Sequence, residues 1–362
     1  MRYAKLGSGS ARHRLRALFD LLRGPAATSA AAAVRWQGLL LTVIDGTTMS
    51  VADAVPVIAG GYGEQRCNHG GSGYPGLRLS LLLTCGTRSV IDATFDPITT
   101  GELDQARTLA RSLHAGMLLL ADRNYAAADL IKTLAATKAD LLIRCKTSRR
   151  LPIITRHRDG SWQSTIGTTR VRVIDAQITV RTAEGTRTGD YRLITTLLDA
   201  HRHPAGELIK LYHQRWEIET AYLELKSTIL GGRVLRARTP AGIDQEVYAL
   251  LTAYQALRLA MTGATDHDPH TTPDRASFTI ALNTARDQVI HAAGVITGTV
   301  IDLVGGIGRA VLNDLLPERR TRISPRVVKR AISKHRAKGH IDRTNHPAAI
   351  TITLGLTPSP EP

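Results

Sequence analysis

The chain has 362 residues, 43% of them hydrophobic and 22% charged, with 47 Lys and Arg against 31 Asp and Glu. That length and apolar content support one large domain or two ordinary ones with a real core, and a net charge of +16 points to a polyanionic partner. Three cysteines, Cys67, Cys85 and Cys145, are too few and too scattered for a disulfide framework or a thiolate zinc site, and read as reduced residues of a cytoplasmic protein.

Secretion and membrane insertion are excluded on the same footing. Residues 25–34 are Ala-rich but short, contain Thr28 and Ser29, and follow Arg-rich sequence, unlike a signal peptide. Residues 296–307 are too short to span a bilayer and carry Asp302. Charge is concentrated at the ends. Residues 1–36 hold seven basic side chains against Asp20, and residues 315–345 hold ten against Glu318 and Asp342. The centre is nearly neutral and holds most of the acids, so carboxylates there are available to a metal, while the ends read as DNA-binding or simply solvated tails.

In chain order, residues 38–44 (GLLLTVI) predict a buried strand that stops at an Asp45-Gly46 turn. Residues 60–76, rich in Gly, Asn and His, read as a loop. Residues 77–83 and 88–93 read as strands joined by a Cys-Gly-Thr turn. Residues 102–113 have helical spacing, and residues 116–121 (GMLLLA) form a second buried strand that stops at Asp122. A helix over 125–135 and a strand over 140–144 follow. Alternating strands and helices predict an α/β mixed sheet with helices packed on it, and catalytic groups in such sheets sit beyond the carboxyl ends of strands. Asp45 and Asp122 are both placed there. Residues 146–198 change to short β-like runs with turns at Asp159-Gly160 and Glu184-Gly185, a β-rich insertion. A long helix over 207–229 is closed by Gly231-Gly232, another spans 245–262, and a polar linker over 262–272 leads to further helices and the basic tail.

The long helix offers Glu217, Glu219 and Glu224. At about 100° per residue, Tyr212, Arg215, Glu219 and Lys226 share a sector of roughly 60°, whereas Glu217 and Glu224 lie well round the helix. An acid flanked by two cations with a tyrosine hydroxyl above suits a phosphate-handling surface, and a surface helix laced by ion pairs fits the same pattern. The combination decides for the first. Asp45, Asp122 and Glu219 supply hard oxygen ligands for two divalent cations, Mg²⁺ with Mn²⁺ able to substitute, of the kind that activate a nucleophile and stabilise a leaving oxygen in phosphoryl transfer.

These residues carry a resemblance. Tyr212, Arg215, Glu219 and Lys226 match a Tyr-x2-Arg-x3-Glu-x6-Lys signature, after VIDGTTMSVAD around Asp45 and LLLADRNY around Asp122. The chain resembles the DDE transposases of bacterial insertion sequences, in the branch called insertion sequence family four, over about residues 36–260. The resemblance implies an RNase H-like catalytic core interrupted by a β-strand insertion before the glutamate helix. It implies a DNA transposase that nicks transposon ends, forms and reopens a hairpin, and joins the 3′-end to target DNA, working as a homo-oligomer on double-stranded DNA. It makes Asp45, Asp122 and Glu219 the metal ligands, and Tyr212, Arg215 and Lys226 phosphate contacts.

Relatives carry a larger region before the first aspartate, so the chain reads as an N-terminally truncated copy, and the position they fill with Gly after Asp122-Arg123 is here Asn124, a residue that also tolerates left-handed backbone. Trp162 in the insertion either stacks on a flipped base, as in relatives, or simply packs. His201 and His203 lack a third ligand, and Asp92 and Asp96 read as turn residues.

The organisation expected is a basic remnant (1–36), a first core part (37–145), the insertion (146–200), the glutamate helix and its successor (201–262), and a linker with helices and basic tail (263–362). Two rivals share most of these features: a DNA-binding relic without turnover, and an RNase H-like nuclease that cuts without joining.

Overall fold

Alternating side chains of the central strands enter two separate cores. Leu41 and Val43 belong to one and Leu40 and Ile44 to the other; Leu118 and Leu120 likewise part from Met117, Leu119 and Ala121. A strand buried on both faces must be apolar throughout, which is why GLLLTVI and GMLLLA read as continuous runs. This computed structural model describes residues 11–26, 34–67, 70–182, 185–266, 271–293, 302–317 and 349–354. The basic tail over 319–343, part of the 262–272 linker and Glu184 lie outside them.

Five strands make the centre of the sheet: β1 (Leu39–Ser50), β2 (Gly70–Thr84), β3 (Val90–Pro97), β4 (Met117–Ala121) and β5 (Asp140–Cys145). Their order is β3-β2-β1-β4-β5, with β1–β3 antiparallel and β1, β4 and β5 parallel. This is the expected RNase H-like arrangement. The insertion supplies β6 (Trp162–Ile166), β7 (Thr169–Thr182) and β8 (Gly185–Thr195), and β8 pairs antiparallel with β5. The insertion therefore prolongs the core sheet instead of forming a separate layer. A strand near the C-terminus, β9 (Ala349–Leu354), pairs with β7.

Helices cover both faces. α1 (Ala11–Leu22) precedes the sheet; α2 (Glu102–Leu109) and α3 (Ala128–Ala136) bury Ala106, Leu109, Leu130 and Leu134 in one core. On the other face lie α4 (Ala205–Tyr212), α5 (Glu217–Leu223), α6 (Pro240–Asp266), α7 (Phe278–Ala293) and α8 (Leu303–Asn313). Among the described residues, no helix is long and apolar enough to cross a membrane. Cys85 and Cys145 are free thiols buried in the core.

Several expectations are corrected. β1 does not stop at Asp45-Gly46 but runs on to Ser50, because β2 continues to pair with it through Ser50↔Gly76. Much of the 60–76 stretch read as a loop is strand: Glu64–Cys67 pairs with β2, and residues 70–76 begin β2 itself, since ladder bonds need only backbone and at Gly76 a Cβ would come within 2.8 Å of the Ile98 side chain. The 262–272 linker begins later, since α6 continues to Asp266 with Thr262 and Thr265 buried. The described part of the basic N-terminal segment is no loose tail, as α1 buries Phe19 and Arg23 pairs with buried Asp92.

Candidate active site

Parallel pairing of β1 with β4 runs from Leu40↔Met117 to Val43↔Leu120. Two further residues on each strand reach Asp45 and Asp122, so both aspartates stand level at the carboxyl edge of the parallel strands. Asp45 is not at a chain turn, yet it occupies the position that the topology reserves for ligands and catalysis. Asp122 caps the 3₁₀ turn Arg123–Tyr125, accepting the Asn124 amide at 2.8 Å. Asn124 is not among the residues with positive φ, so no left-handed backbone is needed there.

The predicted long helix is in fact four windings. α4 gives way to a 3₁₀ turn at His213–Trp216, then α5, then a π-helix over Glu224–Ile229, with Gly231 and Gly232 ending it at φ of 64° and 72°. The four signature residues still converge on the edge that carries the aspartates. Arg215 reaches Asp45 Oδ2 at 3.4 Å and Glu219 Oε1 at 3.3 Å, a bridge between two of the three carboxylates. Tyr212, expected as a phosphate contact, donates its hydroxyl proton to the Ala121 carbonyl at 3.0 Å and so buttresses the strand end before Asp122. Lys226 donates to the Thr48 carbonyl at 2.7 Å and to Thr47 Oγ1 at 3.3 Å, just past Asp45.

The two rejected glutamates are where the angular argument put them. Glu217 and Glu224 are buried and bind Arg88, at 2.5 and 3.2 Å, and Glu224 also pairs with buried Arg258. Tyr254 donates to Glu224 at 3.2 Å. This set of two arginines and two glutamates ties the glutamate-bearing segment to the β2–β3 turn and to α6.

Electrostatically, Asp45 is the unusual member. Burial, reinforced by Asp122 and Glu102, outweighs the Gly46 amide and Arg215 and pushes its carboxyl up from 3.8 to about 7. Burial also lowers the Lys226 ammonium. Arg215 stays firmly charged: burial acts against it, but Tyr212, Asp45, Glu219 and Asp122 raise it overall. A carboxyl held high in the folded state stabilises the fold fully below its unfolded value and loses that contribution as pH rises through about 7. Asp45→Asn, which keeps the shape without the charge, is therefore expected to gain on the order of 2–4 kcal/mol over wild type at pH 8 and little at pH 4. Denaturant unfolding without divalent cations measures it; an equal gain at both pH values would show that charge is not the cause.

Donor chemistry fits a hard divalent cation. Three carboxylates gather at one edge, one of them is held uncomfortably in its charged form, and Arg215 supplies the countercharge between Asp45 and Glu219. Among the described residues no group of three or more His, Cys, Asp or Glu side chains is already placed to hold a metal ion, so the fit rests on the chemistry of the donors and not on a formed site.

The weaker candidates lie elsewhere. Trp162 is buried in the β-sheet core, with the Arg192 guanidinium 5.5 Å from its ring centroid, a packing position. His203 Nδ1 meets Gln37 Oε1 at 2.8 Å. Asp92 and Asp96 sit within β3, not a turn: Asp92 binds Arg111 and Ser112, and Asp96 accepts from Gln105. Sequence reasoning missed Tyr222, which donates to the Asp45 carbonyl at 2.6 Å, and Glu102 with Tyr125, which stand beside Asp45. No spacing rule links these to the signature; only the folded sheet brings them there.

The transposase DDE domain matches residues 36–256. The transposase InsG for insertion sequence element IS4 of Escherichia coli (strain K12) is 27% identical over 305 residues, covering 81% of this chain and 68% of that protein. Among solved structures, the cryo-EM structure of the piggyBac transposase synaptic complex with hairpin DNA aligns with a TM-score of 0.44 and 11% identity, over 78% of this chain and 59% of that one. The chain thus spans less than two thirds of the length of that structure.

Proposed function

Because the chain belongs to the transposase DDE domain family, we propose that it is a divalent-metal-dependent DNA transposase that cleaves transposon ends and joins them to target DNA. The observation that carries this reading is the Arg215 bridge from Asp45 to Glu219 at the strand edge where Asp122 stands level with Asp45. Asp45, Asp122 and Glu219 would hold two Mg²⁺ ions. Such ions lower the pKa of an attacking water or 3′-hydroxyl and stabilise the leaving oxygen.

The chain's own groups do the rest. Arg215 and Lys226 present cations beside the carboxylates and would hold non-bridging phosphate oxygens, with Arg215 keeping the two acids in register. Tyr212 and Tyr222, through the Ala121 and Asp45 carbonyls, fix the two strand segments that carry the aspartates. Both phenols stay protonated because burial raises them. The excess of basic residues at the chain ends would grip the DNA backbone without reading sequence. A hairpin intermediate and a homo-oligomer that pairs two ends belong to the same reading.

The test incubates the full chain with Mg²⁺ or Mn²⁺ and DNA bearing its own element's ends, beside Asp122→Asn. Cation-dependent nicking followed by joining of the 3′-end, absent in the variant, is the expected result. Cleavage without joining would make the protein a nuclease, and DNA binding without cleavage would make it a relic.

A further inference from the structure

Beyond the three carboxylates and the signature, one acidic side chain links both aspartate-bearing segments. Glu102 stands in the first turn of α2, which follows β3 in the chain. Its Oε1 accepts a hydrogen bond from the Tyr125 hydroxyl at 3.1 Å. Tyr125 is fully buried and closes the 3₁₀ turn that Asp122 caps. The same Oε1 lies against Gly46, the residue after Asp45, so closely that a Cβ there would come within 2.7 Å of it. Gly46 does not have positive φ, so space and not backbone freedom explains the glycine.

Resting on the transposase reading, we infer that Glu102 is a positioning residue that locks the Asp122 turn to the Asp45 strand through Tyr125 and the bare backbone of Gly46. The lock has a simple physical basis. A carboxylate oxygen is a strong acceptor, and a buried hydroxyl without a partner is costly, so Tyr125 and Glu102 hold one another. Burial, together with the nearby Glu102 and Asp45, raises the Tyr125 phenol well above its ordinary value, so it remains a donor. With no side chain at 46, Glu102 has room to lie against that strand while it accepts from Tyr125. A methyl at 46 meets the movable end of the Glu102 side chain and would displace it from Tyr125. Glu102 acts on the chemistry only through what it holds.

Hydrogen exchange over residues 122–126, measured on the full chain without DNA or metal, tests this independently of any activity. Glu102→Ala and Tyr125→Phe are expected to speed exchange there about tenfold. Glu102→Gln, whose amide oxygen still accepts from Tyr125, should restore slow exchange, and Gly46→Ala should resemble Glu102→Ala. The rate of end cleavage at saturating DNA should fall about tenfold in Glu102→Ala and Tyr125→Phe, with DNA affinity unchanged. Wild-type exchange in Glu102→Ala overturns the inference, as does an effect of Glu102→Ala that Tyr125→Phe does not share. If exchange responds as expected but wild type never cleaves DNA, the lock stands and the transposase reading falls. If wild type cleaves and neither exchange nor rate responds to Glu102→Ala, the lock alone falls.

Discussion

Glu219→Gln is expected to slow cleavage of DNA ends by roughly a thousandfold or more, about 4 kcal/mol of transition-state stabilisation, while leaving the fold intact. The side chain is 36% exposed, and an ion pair so open to solvent as that with Arg215 at 3.3 Å takes little from stability when its charge is lost. The amide keeps the shape of the carboxylate but removes the negative charge that would compensate a divalent cation. Gel assays of nicking at saturating Mg²⁺ measure the effect. Glu217→Gln and Glu224→Gln, two and five residues away, are the controls. Assayed well below their unfolding temperatures, they should retain far more activity than Glu219→Gln and lose far more stability. Equal rates for Glu219→Gln and wild type would remove Glu219 from the reaction.

The second large effect is one of folding. Arg258→Leu removes one of the two guanidinium groups that pair with buried Glu224, and an uncompensated buried charge costs about 3–5 kcal/mol. Chemical denaturation should show that loss. The double variant Glu224→Leu with Arg258→Leu restores balance, since Arg88 and Glu217 still pair at 2.5 Å, and much of the stability should return. Additive losses in the double variant would mean that the arginine contributes by packing on Phe278, 4.9 Å from its guanidinium, instead of by charge. The network matters for function because it holds the segment on which Glu219 rides.

How much of this was legible beforehand differs from residue to residue. The positions of Asp45 and Asp122 stood out because doubly buried strands are continuously apolar and each run breaks at its first charge. The shared edge of Tyr212, Arg215, Glu219 and Lys226 was readable from helical angles even though the helix is broken by a 3₁₀ turn and a π-helix, because each signature residue lies near its neighbour in the chain and accumulates little angular error. The Asp45-Gly46 turn was misread because glycine marks two things alike. Here it makes room for Glu102, not for a bend. The start of β2 was misread for a related reason, since Gly-rich sequence carries no alternation although its backbone can pair. Glu102, Tyr125 and the Arg88–Arg258 network were invisible, since each joins elements far apart in sequence.

In the proposed reaction Asp45, Asp122 and Glu219 would form one cation centre. Anomalous scattering from crystals of the full chain grown with Mn²⁺ and end DNA tests it most directly. Manganese peaks are expected within coordination distance of all three carboxylates, with Arg215 turned to a phosphate. Peaks confined to other sites, with the Arg215 bridge from Asp45 to Glu219 intact, would contradict it.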